Sequence, residues 1–250
     1  MTAAALRELH VPGSPLVLPN AWDADSARLV VEAGFPVVAT SSAAIAAVLG
    51  HDDGEQAPAG EMFAAAARIV RVVEVPVTVD AEAGYGLAPA ELVARLGETG
   101  AVGCNLEDSD LRAGGLRAPG EQADFLAAVR QAAGDGLVIN ARVDCFLSAG
   151  SAGAENAVLP DAIERARRYL AAGVDCVYPI HITSAPVLRS FTEAVAPAAV
   201  NTAYLPSGPD LVGLASCGVA RISLGAGLWR AGRSWLSGAL RELAGGTPPY

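Results

Sequence analysis

The chain has 250 residues, 52% of them hydrophobic, and a formal net charge of −10. That length and apolar content allow one sizeable core, and α/β barrels reach this size as a single domain. The negative charge excludes nucleic acid and anionic membrane surfaces as partners, because both require a basic face; a small anionic substrate stays open, since a few arginines and a metal can reverse the field inside one cleft.

The first thirteen residues hold no apolar stretch of signal-peptide length, being interrupted by Arg7, Glu8 and His10. No later apolar run is long enough to cross a bilayer, so the expected location is cytoplasmic. Pro15 to Pro19 reads as a first strand ending on Asn20, Ala21 and Trp22, and Asp23 or Asp25 can cap the helix that stops at Gly34. Phe35 to Thr40 is the next strand. It leads into SSAAIAAVLGHDDGE, read as a long irregular connection, and then into a helix over Glu61 to Val73.

Pro76 to Gly86 (PVTVDAEAGYG) is where a buried strand begins to carry charge. Asp80 and Glu82, two residues apart, are expected to project to one side before Gly84 and Gly86 turn the chain. From there the alternation is regular: helix Pro89 to Glu98, strand Val102 to Glu107, helix Gly120 to Ala133, strand Leu137 to Arg142, helix Asp161 to Ala172, strand Val174 to Pro179. Helix Ala185 to Val195, strand Ala198 to Asn201, helix Pro209 to Cys217, strand Val219 to Leu224 and a last helix over residues 228–243 complete it. Eight strand-helix units in one domain, 1–250, predict an α/β fold of the (β/α)₈ TIM-barrel type. The rival, a doubly wound open sheet, would place a glycine-rich dinucleotide turn after the first strand, and LPNAWDADS has none. Gly225-Ala226-Gly227, after the eighth strand, is either an anion cradle or a tight turn into the last helix.

Chemistry in such barrels sits at the C-terminal ends of the strands, and there the polar residues gather. Asp80 and Glu82 end one strand, and Glu107 and Asp108 end its neighbour. Carboxylates crowded in this way need protons or a cation to neutralise them, so Asp80, Glu82 and Glu107 are expected to form a divalent-metal site. Hard cations such as Mg²⁺ take oxygen ligands and keep several waters, so few carboxylates need touch the ion. Arg142, on the next strand, can grip a carboxylate that chelates the same ion, the alternative being a structural ion pair with Glu107. The cysteines, Cys104, Cys145, Cys176 and Cys217, lie far apart with no C-x-x-C pair; Cys104 and Cys176 read as small buried hydrophobes, and Cys145 as a possible displaced thiol.

The series LPNAWDADSARLVVEAGF, LGHDDGE, PVTVDAEAGYG, NLED, INARVD and ISLGAGLWRA, in this order, resembles the isocitrate lyase and phosphoenolpyruvate mutase superfamily, over roughly Leu16 to Ala231. Among its members the shorter ones are nearest. The resemblance implies a Mg²⁺-dependent barrel, with Mn²⁺ able to substitute, that makes or breaks C–C or P–C bonds beside a 2-oxo acid. It implies Asp80 as the most direct metal ligand with Glu82 and Glu107 around it, often through water, Asp53 in the metal shell or at the substrate, and Arg142 on the substrate carboxylate. It places Trp22, Ser41, Ser42 and Ala43 at the rim of the carboxylate and oxyanion pocket, with backbone amides near Ser42 and Ala43 as donors, and Asn201 and Ser223 on the far side. It also implies a homo-oligomer, a dimer or tetramer; members often exchange their last helix, and the early end of this chain argues against that exchange.

The departures bear on the reaction. The gating loop, about 109–122, lacks the K-K-C-G-H segment of the isocitrate-type lyases and the lysine and asparagine of the phosphonopyruvate-forming mutases. Its cations are Arg112 and Arg117, either of which closes over an anionic substrate or is merely solvated. After the sixth strand stands Pro179-Ile180-His181, where lyases commonly carry Pro-Glu; His181 is an acid–base candidate or a structural donor. The expected activity is therefore C–C cleavage of a small 2-oxo or 2-hydroxy (di)carboxylate through a metal-stabilised enolate. The alternatives are a phosphonopyruvate-type P–C hydrolase or mutase, and a barrel that binds metal and carboxylate without turnover.

Overall fold

A proline divides the first stave of the barrel. In the computed structural model, which describes residues 2–250, Leu16–Leu18 (β1) and Asn20–Ala21 (β2) are one stretch cut at Pro19, which has no N–H to give to a ladder. The remaining strands are Val38–Thr40 (β3), Val77–Asp80 (β4), Gly103–Leu106 (β5), Val138–Val143 (β6), Cys176–Pro179 (β7), Ala199–Ala203 (β8) and Arg221–Ser223 (β9). All pair in parallel, in the order β1-β9-β8-β7-β6-β5-β4-β3-β2. Because β1 and β2 adjoin in the chain, the two ends of this order meet at Pro19 and the sheet forms a nearly closed barrel. The (β/α)₈ expectation holds, with one stave in two pieces.

Helices alternate with the strands: Ala3–Glu8 (α1), Ala24–Glu32 (α2), Ser42–Leu49 (α3), Ala59–Val70 (α4), Pro89–Thr99 (α5), Pro119–Ala133 (α6), Ala152–Ala171 (α7), Ala185–Val195 (α8), Leu211–Ser216 (α9) and Gly227–Ala244 (α10). Asp23 caps α2 in a reciprocal box with Ser26. No helix among the described residues is long and apolar enough to cross a membrane.

Three local expectations are corrected. Residues 42–49, read as irregular, form α3: alanine is the best helix former, Ser41 caps the start and Gly50 closes the end in the left-handed region, but a run of small residues shows no amphipathic stripe to read. Helix α7 begins nine residues before Asp161 and runs through Pro160. Its extra turns are held by tertiary contacts that outweigh the lost hydrogen bond, among them three donors received by the buried Glu155. The loop after β5 ends at Ala118, because Pro119 is well suited to open a helix.

The two ends of the barrel are built differently. At the N-terminal end α1 acts as a plug: Leu6 is fully buried among Leu16, Leu18, Val37 and Val138. Gly103 makes room for it, since a Cβ there would stand 2.9 Å from the Leu6 side chain. Asp175 ties the plug down, accepting from Arg7 Nε (2.6 Å), the Ile139 N–H (2.7 Å) and Arg130. The C-terminal ends of the strands line a cavity, and barrel chemistry is expected there.

Candidate active site

Asp80, the last residue of β4, receives the backbone N–H of Ser42 (3.2 Å) and the Ser42 hydroxyl (2.8 Å) on Oδ2. Its Oδ1 is buried and has no hydrogen-bond partner. A carboxylate oxygen buried without a donor is costly, and Asp80 Oδ1 has that cost uncompensated by any protein group among the described residues. The Ser42 hydroxyl also reaches Asp53 Oδ1 (3.4 Å), which brings the loop after α3 to the same spot.

Glu82 enters the cavity by another route than strand alternation. β4 has already ended, and Glu82 adopts a left-handed backbone (φ 49°), as do Tyr85 (φ 57°) and Glu55 (φ 58°). Non-glycine residues in this region are strained, and here they hold one another. Glu82 accepts the Glu55 N–H (2.5 Å) and the Tyr85 hydroxyl (3.1 Å), and Glu55 accepts the Tyr85 N–H (2.5 Å). Burial, with Asp80 and Asp53 nearby, pushes the Glu82 carboxyl up to about 7, and burial together with Asp80 raises that of Asp53.

Arg142 spends three of its five N–H bonds on acids: Nη1 meets Glu107 at 2.5 Å, and Nε and Nη2 hold Asp144 at 3.1 and 2.9 Å. Behind it Asp144 takes the Ser109 hydroxyl (2.6 Å), and its N–H donates to Asp108, which also receives Tyr169 and Arg165. Burial raises the Glu107 carboxyl, with Arg142 opposing and Asp144 and Asp80 reinforcing. The structure thus supplies the ion pair with Glu107 and leaves two Arg142 N–H bonds without a partner among the described residues.

These groups line one cavity of about 350 Å³, together with Ser41, Ala43 and His181. The loop after β5 contributes Ser109 and Leu111 to it, and Arg112 lies outside, seated on Gly86, where a Cβ would come within 2.5 Å of its guanidinium. Arg117 is held by Gln122 and the Ala83 carbonyl and lies over Phe125. His181, at φ 70°, faces the cavity; burial and Arg142 lower its pKa, so the ring is neutral at pH 7.

Other expected residues fall elsewhere. Trp22 lines a separate apolar groove with Ile45 and Leu49. Asn201 and Ser223 are buried in the barrel, bonded to each other at 3.1 Å, and do not reach the cavity. The Ser42 N–H is taken by Asp80, so of the two amides expected as donors only that of Ala43 is left without a partner among the described residues. Cys145 is buried and donates to Asp161, away from the cavity. Among the described residues no three His, Cys, Asp or Glu side chains converge on one point, so the acids share a cavity without forming a ready cage. Sequence reasoning missed Arg230, Tyr204 and Leu205 on the cavity wall; for Arg230 the one signal was its place a few residues past a strand end, within GAGLWRA.

The phosphoenolpyruvate phosphomutase family model matches residues 6–244 of this barrel. The chain belongs to that family, which lies in a superfamily of lyases and mutases acting on small carboxylates. Among its relatives is a Corynebacterium glutamicum protein provisionally named 2-methylisocitrate lyase 1, 36% identical over 202 residues, covering 77% of this chain and 62% of that one. Another is an oxaloacetate decarboxylase of Rhodopseudomonas palustris, 34% identical over 197 residues, covering 76% of this chain and 66% of that one. A crystal structure from Burkholderia cenocepacia, provisionally assigned as a phosphonomutase, superposes with a TM-score of 0.90 at 42% identity, covering 96% of this chain and 99% of that one. Lyases of the superfamily generally depend on a divalent metal.

Proposed function

We propose that this chain is a Mg²⁺-dependent carbon–carbon lyase acting on a small 2-oxo or 2-hydroxy (di)carboxylate, with Mn²⁺ able to substitute. The observation that carries it is the unpartnered Asp80 Oδ1, buried beside Asp53 and in one cavity with Arg142. The donor set fits a hard cation: Asp80 would hold it directly, and Glu82 and Glu107, already engaged by Glu55 and Arg142, through water. When bound, Mg²⁺ supplies Lewis-acid stabilisation of negative charge building on a substrate oxygen. The chain's own residues do the rest. The two remaining N–H bonds of Arg142 orient the substrate carboxylate, and the Ala43 N–H donates to the oxygen beside it. His181, neutral and at the cavity wall, is the group able to take or return a proton at the carbon next to the 2-oxo group. Ser109 and Leu111, from the loop after β5, would limit the access of water to the cavity they line. The test is Asp80→Ala, expected to lose both Mg²⁺ binding by calorimetry and turnover of a dicarboxylate panel; full activity of that variant in EDTA would falsify the proposal.

The similarity to a protein assigned as a phosphonomutase supports a second reading, P–C bond chemistry. Phosphorus NMR with phosphonopyruvate separates the two, since only the second reading yields a new phosphorus signal. The absence of Cys, Lys and His between residues 109 and 122 favours a third, binding without turnover. Tight Mg²⁺-oxalate binding with no product from any dicarboxylate would select it.

Helix α10 bears on assembly: it has no buried residue and exposes Trp235, Leu236, Leu240 and Leu243. A homo-oligomer, dimer or tetramer, would cover this face. Light scattering of Leu236→Glu/Leu240→Glu should then report a smaller species than the unmodified chain.

A further inference from the structure

The two halves of the active-site cavity differ in charge. On the β3–β5 side stand Asp53, Asp80, Glu82 and Glu107. On the β7–β9 side the wall is phenolic or apolar, with Tyr178, Ile180, Leu205 and Leu224, and no carboxylate lines it among the described residues. One strong cation stands there, Arg230 from the first turn of α10. The side chain of Arg230 makes no ion pair and no hydrogen bond among the described residues, whereas Arg142 across the cavity is tied to two acids. Its charge reaches into the site, being one of the influences that depress protonation of His181.

An arginine that no acid neutralises, at the rim of a cavity whose opposite wall holds four acids, is placed to receive an anion rather than to hold the fold. A two-carbon acid seated at Asp80 and Arg142 would leave the β7–β9 half of a 350 Å³ cavity unfilled. We infer that Arg230 is a specificity-determining residue that takes the distal acidic group of the substrate, with Ile180, Leu205 and Leu224 receiving the carbon chain between the two anionic ends. The inference rests on the 2-oxo-acid reading of Asp80 and Arg142. It narrows the substrate class to diacids whose second acidic group is separated from the reacting end by a short carbon chain.

The experiment compares chain-matched probes that differ only in the distal group: 2-oxoglutarate and 2-oxoadipate against 2-oxopentanoate and 2-oxohexanoate, with oxalate as a probe that has no distal reach. Binding to the full chain is measured by calorimetry in Mg²⁺. The unmodified chain is expected to prefer one or both diacids over the matched monoacids by about 10-fold, the scale of one charge-assisted hydrogen bond at a wet rim. Arg230→Ala should abolish that preference while weakening oxalate far less than the diacids, and Arg230→Lys should retain part of it. Arg230 is exposed and unpartnered, so neither substitution removes a contact that the fold uses. Equal binding of diacids and monoacids by the unmodified chain, or an undiminished preference in Arg230→Ala, overturns the inference while oxalate binding keeps the 2-oxo-acid reading intact. Failure of the unmodified chain to bind oxalate overturns both.

Discussion

Asp175 and Asp80 sit at opposite ends of one barrel, and each is a partly buried carboxylate that the fold had to accommodate. Asp175 is answered on both oxygens, by Arg7 and by Arg130 with the Ile139 N–H. Asp80 is answered on one, by Ser42, and its other oxygen meets nothing. The first arrangement is what a carboxylate needs to stabilise a structure. The second costs stability and persists where a ligand completes it. The contrast is between an acid compensated on both oxygens and one compensated on a single oxygen, and the proposed function rests on the second.

The contrast can be broken at either end. Asp175→Ala leaves Arg7 and Arg130 facing each other unpaired, and should lower unfolding free energy by about 3 kcal/mol in urea melts, while oxalate affinity of the folded fraction stays unchanged. A loss of oxalate binding there would mean that the lower end also shapes the site.

The lower end should also be sensitive to acid. Burial, with Arg221 nearby, lowers the His10 imidazole to about 4; its Nδ1 bonds to the Leu6 carbonyl and its Nε2 is buried without a partner. A histidine depressed on folding is protonated first in the unfolded chain. Its contribution is therefore complete above pH 6.5 and is lost as pH falls from 6.5 toward 4. The loss should reach about 2 kcal/mol by pH 4.5, and His10→Gln should remove that part of the pH dependence when both chains are melted at pH 7 and pH 5.

Glu155 sharpens the comparison from the side of the cavity. It is fully buried in α7, takes the Thr183 N–H and hydroxyl at 2.9 and 2.6 Å and the Ser184 N–H at 3.0 Å, and so anchors the turn that carries His181. Glu155→Gln should cost about 1.5 kcal/mol and reduce kcat more than it raises KM if His181 moves the proton. Equal changes in both would make Glu155 a structural residue only. The smallest effect is expected at Asp80: Asp80→Asn relieves repulsion with Asp53, Glu82 and Glu107, so apo stability should stay within about 1 kcal/mol or rise, and the stabilisation by saturating Mg²⁺-oxalate should vanish.

Much of the fold was legible because barrel strands are covered on both faces and read as apolar runs whose polarity begins only at the downstream end. Asp80, Glu107 and Arg142 stood out for that reason, and Ser41, Ser42, Asp53 and His181 join them around the cavity. Trp22, Asn201 and Ser223 were expected on the cavity as well, but β8 runs on to Ala203, which leaves Asn201 in mid-strand bonded to Ser223 inside the barrel, and Trp22 lies past the end of β2 in a separate groove. Glu82 reached the cavity for a reason other than the expected one, a left-handed turn locked by Glu55 and Tyr85.

By itself the sequence determined the order of strands and helices, the acidic ends of β4 and β5, and the arginine on β6, because burial and periodicity are local properties that a chain carries in its composition. Only the tertiary structure decided which acids are answered. That Asp175 is caged and Asp80 half bare, that α7 extends through Pro160 to bring Glu155 to Thr183 and Ser184, and that Arg230 stands unpaired across the cavity from the acids all depend on neighbours dozens or hundreds of residues away. Hydrogen bonding and charge compensation are settled by neighbours in space, and the closing of the barrel chooses those neighbours.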